Sequence, residues 1–231
     1  MRALKLATIA AILSVAGTAQ AGVNLVTNGN FATTTFGSSH AAAGFTSTQI
    51  TNWSSSSAYF VYGSTPNTSV MPVPTSPAYS APPLGGNAVG IDIYTPSLAI
   101  TYTPGIALTA GSTYTVSFYE ALSMGAGDPL GSATSHFNVL VDGSVIGTNG
   151  SVSITSSTTF SGWQLVTDTF VAGTTGSAVS LAFQNATTSS LPPILLLADV
   201  SVTKVPEPAS MALLGGGLLG LVAIRRARRT A

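Results

Sequence analysis

The sequence predicts an all-β domain set between two apolar end segments, and three observations predict it. Apolar residues alternate with Ser and Thr in several short runs, and no 3.6-residue apolar period appears between the ends. Clusters of Gly, Pro, Asn and Ser separate those runs, as strands joined by turns require. Glu, Lys and Gln are scarce while Ser, Thr and Gly abound, which suits strands and turns better than helices.

At the start of the chain, Arg2 and Lys5 precede the run LATIAAILSVAGTA, which closes on Ala19-Gln20-Ala21. A positive beginning, a short apolar stretch and small residues at a peptidase site describe a secretory signal helix over 1–21, cut after Ala21. The run is too short for a comfortable permanent span. Residues 22–203 then make one domain, long enough to bury a core. Residues 64–84 (STPNTSVMPVPTSPAYSAPPL) read as a Pro- and Ser-rich surface loop.

The strand signals follow. STYTVSFYE puts Tyr114, Val116 and Phe118 on one face, with Glu120 continuing that register. HFNVLVDG aligns Phe137, Val139 and Val141 and ends on Asp142-Gly143, a hairpin turn signal. WQLVTDTFV is a further strand, and AVSLAFQN aligns Val179, Leu181 and Phe183. ILLLADVSV is apolar enough to be buried on both faces. No fixed-period repeat occurs, which argues against a solenoid or propeller.

Charge is distributed unevenly. Residues 22–203 hold six acids and no Lys or Arg, a formal charge of −6 with His neutral. Such a surface cannot neutralise phosphates, so nucleic-acid binding is excluded. The absence of Cys excludes disulfides, thiolate metal sites and Cys nucleophiles.

The C-terminus carries Val205-Pro206-Glu207-Pro208, sixteen uncharged and mostly apolar residues (209–224), and then Arg225, Arg226, Arg228 and Arg229. As a helix the apolar stretch is roughly 24 Å long, short of a hydrocarbon core of about 30 Å. The Arg cluster stays on the cytoplasmic side and leaves residues 22–208 outside. These three parts, over 204–231, resemble the PEP-CTERM sorting signal. That family's segment, also called the ice-binding protein C-terminal domain, is recognised by a membrane protease, exosortase, and removed near the motif. The resemblance implies export through the inner membrane, transient residence there, and a place on the cell surface or in the medium. A permanent tail anchor is the alternative.

The succession NLVTNGNF, ITNWS, GGNAVGID, LTAGSTYTVSFYEA, FNVLVDG, GWQLVTDTFVA and LLLADVSVTKVPEP resembles the galactose-binding-like jelly roll related to carbohydrate-binding modules. It implies an antiparallel two-sheet sandwich. Such modules often hold calcium through an acid after the N-G-x-F Phe and an Asp pair before V-S-V. Here Ala32 and Ala198-Asp199 stand in those places, so Asp199 with Asn30 or backbone carbonyls makes at most a weak site, and Asp199 as a loop cap is the alternative.

Glycan recognition would need exposed rings, for which Trp53, Tyr59, Tyr62, Tyr79 and Tyr94 are the candidates, each with core or loop packing as its alternative. Trp163 suits core support. Catalysis lacks a constellation: Glu120 is the lone Glu of the domain, and His40 and His136 have no partners at metal-ligand spacing. The T-x-T units at 101, 113 and 167 fall at uneven intervals, unlike a flat ice-binding face. The residues thus lead to a non-enzymatic surface or exopolysaccharide-matrix protein, then to a glycan-binding module, and last to a surface hydrolase.

Overall fold

The computed structural model describes residues 22–35, 40–62, 80–93, 97–124, 131–148, 150–155, 160–173, 176–186 and 193–206, and positions 217 and 225; for 40–47, 56–60, 62, 92 and 177 only the backbone is described. Among these the chain forms β1 (His40–Ile50), β2 (Trp53–Tyr62), β3 (Ala88–Asp92), β4 (Ala99–Leu108), β5 (Thr113–Met124) and β6 (Ala133–Ser135). It continues with β7 (Phe137–Val141), β8 (Ser144–Gly147), β9 (Val152–Ile154), β10 (Gln164–Val171), β11 (Gly176–Asn185) and β12 (Pro193–Lys204). Every pairing among them is antiparallel. The all-β expectation holds, and the only described helical positions are 217 and 225.

The alternation read from the sequence is the alternation of burial. Along β5, Tyr114, Val116, Phe118, Glu120, Leu122 and Met124 all point into the core. Asp142 and Gly143 take φ of 50° and 74°, the left-handed pair that a two-residue hairpin loop needs, and Val141 pairs with Ser144 across it.

The ladder is continuous where two separate sheets were expected. It runs β10-β5-β12-β3-β2-β4-β11-β7-β8, with β1 beside β2 and a small β6-β9 pair apart. The reason lies in β2, which serves both layers: Tyr59–Tyr62 pair with β3, while Trp53 and Ser54 pair with β4. The layers face each other through aromatic edges. Phe118 of β5 meets Phe137 of β7 at 6.3 Å and Phe183 of β11 at 5.1 Å between ring centroids. This is an antiparallel β-sandwich.

Strand β12 is buried on both faces, as its composition predicts. Leu195 and Leu197 join the main core, and Ile194, Leu196 and Ala198 join a smaller cluster outside the sheet with Tyr119, Phe160 and Trp163. A bulge then falls between Ala198 and Ser201, with Asp199 at φ 53°. The extra residue resets the parity, so Val200 and Val202 return to the core face.

The chain divides into a compact unit, Val23–Lys204, and a second made of Met1–Gly22 and Val205–Ala231. The expected signal and membrane helices fall almost wholly outside the described residues. Among the described residues no helix is long and apolar enough to cross a membrane.

Candidate functional site

The two ends of the compact unit are joined to each other. Asn24 and Thr203 form an antiparallel bridge, and Leu25 N donates to Val202 O at 2.8 Å. Asn24 Oδ1 accepts from Val202 N at 2.9 Å and from Val26 N at 3.0 Å, an Asn side chain extending the ladder where the backbone turns away. Lys204 closes β12 opposite Tyr114. Beyond it Val205 and Pro206 are exposed and outside any strand, and Val23 is 77% exposed at the other end. A protease reaching either junction therefore need not open a strand. Of the remaining sorting and cleavage residues, Arg225 is helical and exposed, while Ala19, Ala21, Glu207, Pro208, Arg226, Arg228 and Arg229 lie outside the described residues.

Close to those ends, Asn30 and Asp199 do come together. Both line an open cavity of about 420 Å³ with Asn24, Asn28, Leu84 and Ser201. Its walls are held tightly: a Cβ on Gly29 would overlap Val200 O, and Gly29 O accepts from Val200 N at 2.9 Å. The donor set falls short of a calcium shell. Asn30 Oδ1 accepts from Ala32 N, Asn30 O from Asn87 N, Asn28 Oδ1 from Thr33 N, and Asp199 Oδ2 from Leu84 N at 3.0 Å. Asp199 Oδ1 alone is buried with no hydrogen-bond partner. Burial pushes the Asp199 carboxyl up, against the Leu84 N–H that favours its charge. One carboxylate among amide oxygens that already accept hydrogen bonds supplies little of the charge and few of the six to eight oxygens that calcium takes. Among the described residues no three His, Cys, Asp or Glu gather as a metal site.

The aromatic candidates separate. Trp53 is wholly buried, its ring tilted against Phe31 at 4.8 Å and Tyr102 at 5.2 Å, and its Nε1 donates to Asn28 O at 2.9 Å. It offers no face to a sugar, which corrects its place among the glycan candidates. The turn Thr51-Asn52, with Asn52 at φ 71°, aims it inward. Tyr59 and Tyr62 lie on β2 with only their backbone described, and Tyr79 and Tyr94 lie outside the described residues. Trp163 is half-buried on the outer cluster, as core support would have it, with Phe160 edge-on at 6.0 Å and its Nε1 donating to Ser80 O.

Sequence reading missed a pair of carboxylates inside the sandwich. Glu120 of β5 and Asp168 of β10 share the inward face of adjacent strands, and both are buried. Glu120 Oε2 accepts from Phe137 N at 3.0 Å, across from one layer to the other, and Oε1 has no partner. Gly147 and Gly150 close over the pair: a Cβ on Gly150 would overlap Glu120 Oε1, and one on Gly147 the Asp168 carboxylate. Burial, opposed by the Phe137 N–H and helped by Asp168, pushes the Glu120 carboxyl up to about 7. The register of Val166, Asp168 and Phe170 held the signal, a polar residue on an apolar face.

Comparison with known proteins decides which of these places carries a recognised function. The PEP-CTERM protein-sorting motif matches residues 204–229. This segment is a PEP-CTERM sorting signal. It begins at Lys204, the last residue of β12. A PEP-CTERM signal marks a chain exported across the inner membrane and found at the surface or secreted after processing.

No curated protein matches the chain. Among solved structures it is similar to the N-terminal cellulose-binding domain of Cellulomonas fimi β-1,4-glucanase C, with 22% identity over 64% of this chain and 90% of that one and a TM-score of 0.37. It is also similar to the CBM22-1 xylan-binding domain of Paenibacillus barcinonensis Xyn10C, with 16% identity, 82% and 99% coverage and a TM-score of 0.36. An arabinose-bound GH51 α-L-arabinofuranosidase gives 16% identity, 81% and 27% coverage and a TM-score of 0.47. Likenesses this distant carry no argument about what the chain binds.

Proposed function

We propose that this chain is a non-enzymatic component of the cell surface or exopolysaccharide matrix, released from the membrane by an exosortase-type protease acting near Val205–Pro208. The observation that carries the reading is the position of the sorting signal. It starts where the sandwich ends, and Val205 and Pro206 are exposed beyond the last paired residue. Removal of 209–231 would take away no strand found among the described residues. The buried acids support the non-enzymatic part, since Glu120 and Asp168 are enclosed where no substrate reaches them.

The test is a Glu207→Ala variant produced beside the wild type in a host that has exosortase. Processing at the motif predicts wild-type protein in the extracellular fraction and the variant retained in the membrane with its tail. Equal release of both forms overturns the reading.

A second reading, glycan binding, has one observation in its favour. Phe160 and Trp163 lie edge to face and half-exposed over the outer cluster of β12. Rings so placed present an apolar face beside polar strands, the pattern a sugar needs. Retention of residues 22–204 on a polysaccharide, lost in Trp163→Ala at unchanged melting temperature, would support it; no retention on any polysaccharide would remove it.

A further inference from the structure

We propose that the end of the sandwich bearing Asn24 and Thr203 is the face turned toward the membrane while the precursor is still held there, where it docks on anionic lipid headgroups. This rests on the export reading above and adds an interaction surface to it.

The first support is the pairing of the ends. The antiparallel bridge makes the two chain ends leave the unit side by side. In the sequence each is followed by an apolar segment after very few residues: 20–23 on one side, 205–208 on the other. Four residues reach at most about 14 Å, so both tethers before the cut at Ala21, and the C-terminal one after it, keep this end near the surface.

The second support is the composition of that end. Lys204 is the only Lys or Arg between residues 6 and 224, and it stands at the exit. Of the acids in residues 22–203, Glu120, Asp168 and Asp199 are buried, and Asp142, exposed at the β7–β8 turn, is the one described carboxylate that would repel an anionic surface. Large apolar residues are also exposed there. Val23 is 77% exposed and Val205 36%. Val171, 64% exposed, pairs with Thr113, next to Tyr114, which pairs with Lys204; Leu84, 74% exposed, stands across the cavity that Asn24 and Ser201 also line. A single cation amid exposed apolar side chains suits the headgroup region.

Leu165 provides an internal control. It is exposed on the same strand as Val171, six residues away, roughly 20 Å along β10. The chain has no Cys, so single-Cys variants are labelled without background. The experiment reconstitutes the full-length chain, as V171C or L165C with a fluorophore, in phosphatidylethanolamine–phosphatidylglycerol vesicles that carry a headgroup quencher. Trypsin protection of the Arg225–Arg229 end reports insertion of the tail. Insertion together with strong quenching at 171 and weak quenching at 165 is the expected result. Lys204→Gln should then lower the docked fraction about fivefold. Insertion with equal quenching at both positions overturns the docking face and leaves the export reading intact. Failure of the tail to insert overturns both.

Discussion

Glu120 Oε2 accepts the Phe137 N–H at 3.0 Å, so a carboxyl from β5 occupies a ladder position on β7 in the opposite layer. The bond sits where β8 has ended and Gly150 passes over the carboxyl. No Lys or Arg is available in residues 22–203 to compensate an ionised Glu120, and Asp168 adds like charge. Its surroundings therefore hold the carboxyl protonated up to about pH 7, and stability depends on its proton.

The sign follows from linkage. An acid whose folded pKa lies above its unfolded value keeps a proton that the unfolded chain gives up, so its contribution is complete below the ordinary value of 4.5 and is lost as pH rises to about 7. For Glu120 this amounts to at most about 3 kcal/mol. Urea melts of residues 22–204 should show stability declining from pH 4.5 to 7 and flattening above. Glu120→Gln should flatten most of that slope, leaving the smaller part due to Asp199, and be the more stable form at pH 8. A stability that rises over this interval would contradict the assignment.

Gly147 and Gly150 should resist substitution for steric reasons. Alanine at either would force its methyl into a buried carboxylate, a cost of about 1–3 kcal/mol. Gly173→Ala, with nothing within 4 Å of its Cβ, should stay within about 0.5 kcal/mol of wild type. Thermal melts of the three variants check this ordering.

Asp199 should act as a clamp on the Leu84 turn and not as a calcium ligand. The melting temperature should be the same in calcium and in EDTA. Asp199→Ala, which removes the acceptor for Leu84 N, should lower it by the equivalent of about 1 kcal/mol. A calcium-dependent shift in the wild type would show that the amide-rich cavity supplies more ligands than its hydrogen bonds leave free.

Trp53 should matter for folding alone. Trp53→Ala removes a fully buried ring and the Nε1 bond to Asn28 O, a loss of about 3–5 kcal/mol. Trp53→Phe should keep the fold at a smaller cost and leave any polysaccharide retention unchanged, which an affinity gel measures.

Much of this was legible before any coordinates. The inward registers of β5, β7, β11 and β12 and the Asp142-Gly143 turn followed from patterns within ten residues or so, and the sorting segment from three contiguous parts over 205–229. Strand β1 did not, because HAAAGFTSTQI has small residues and no clean alternation. The shared role of β2 did not either, since a strand's sequence does not say that its halves pair with different partners. Trp53 showed why an aromatic in a turn-rich stretch is ambiguous: the positive φ of Asn52 decides which way its ring points. The Glu120–Asp168 pair needed a register between two strands more than forty residues apart. Alternation placed each acid inward, and only the pairing put them on one face of adjacent strands, four residues apart along the register. Asp199 and Asn30 were linked by resemblance, and the hydrogen bonds around them show which of their oxygens are already engaged.

The central claim is that the chain is exported and cut at both ends of its compact unit. Intact mass measurement of the mature protein, taken from the extracellular fraction of an exosortase-bearing host, tests it most directly. The account predicts a chain that begins at Gly22 and ends within Val205–Pro208, with Lys204 as its only Lys or Arg. A mature form that still carries residues 209–231 would contradict it.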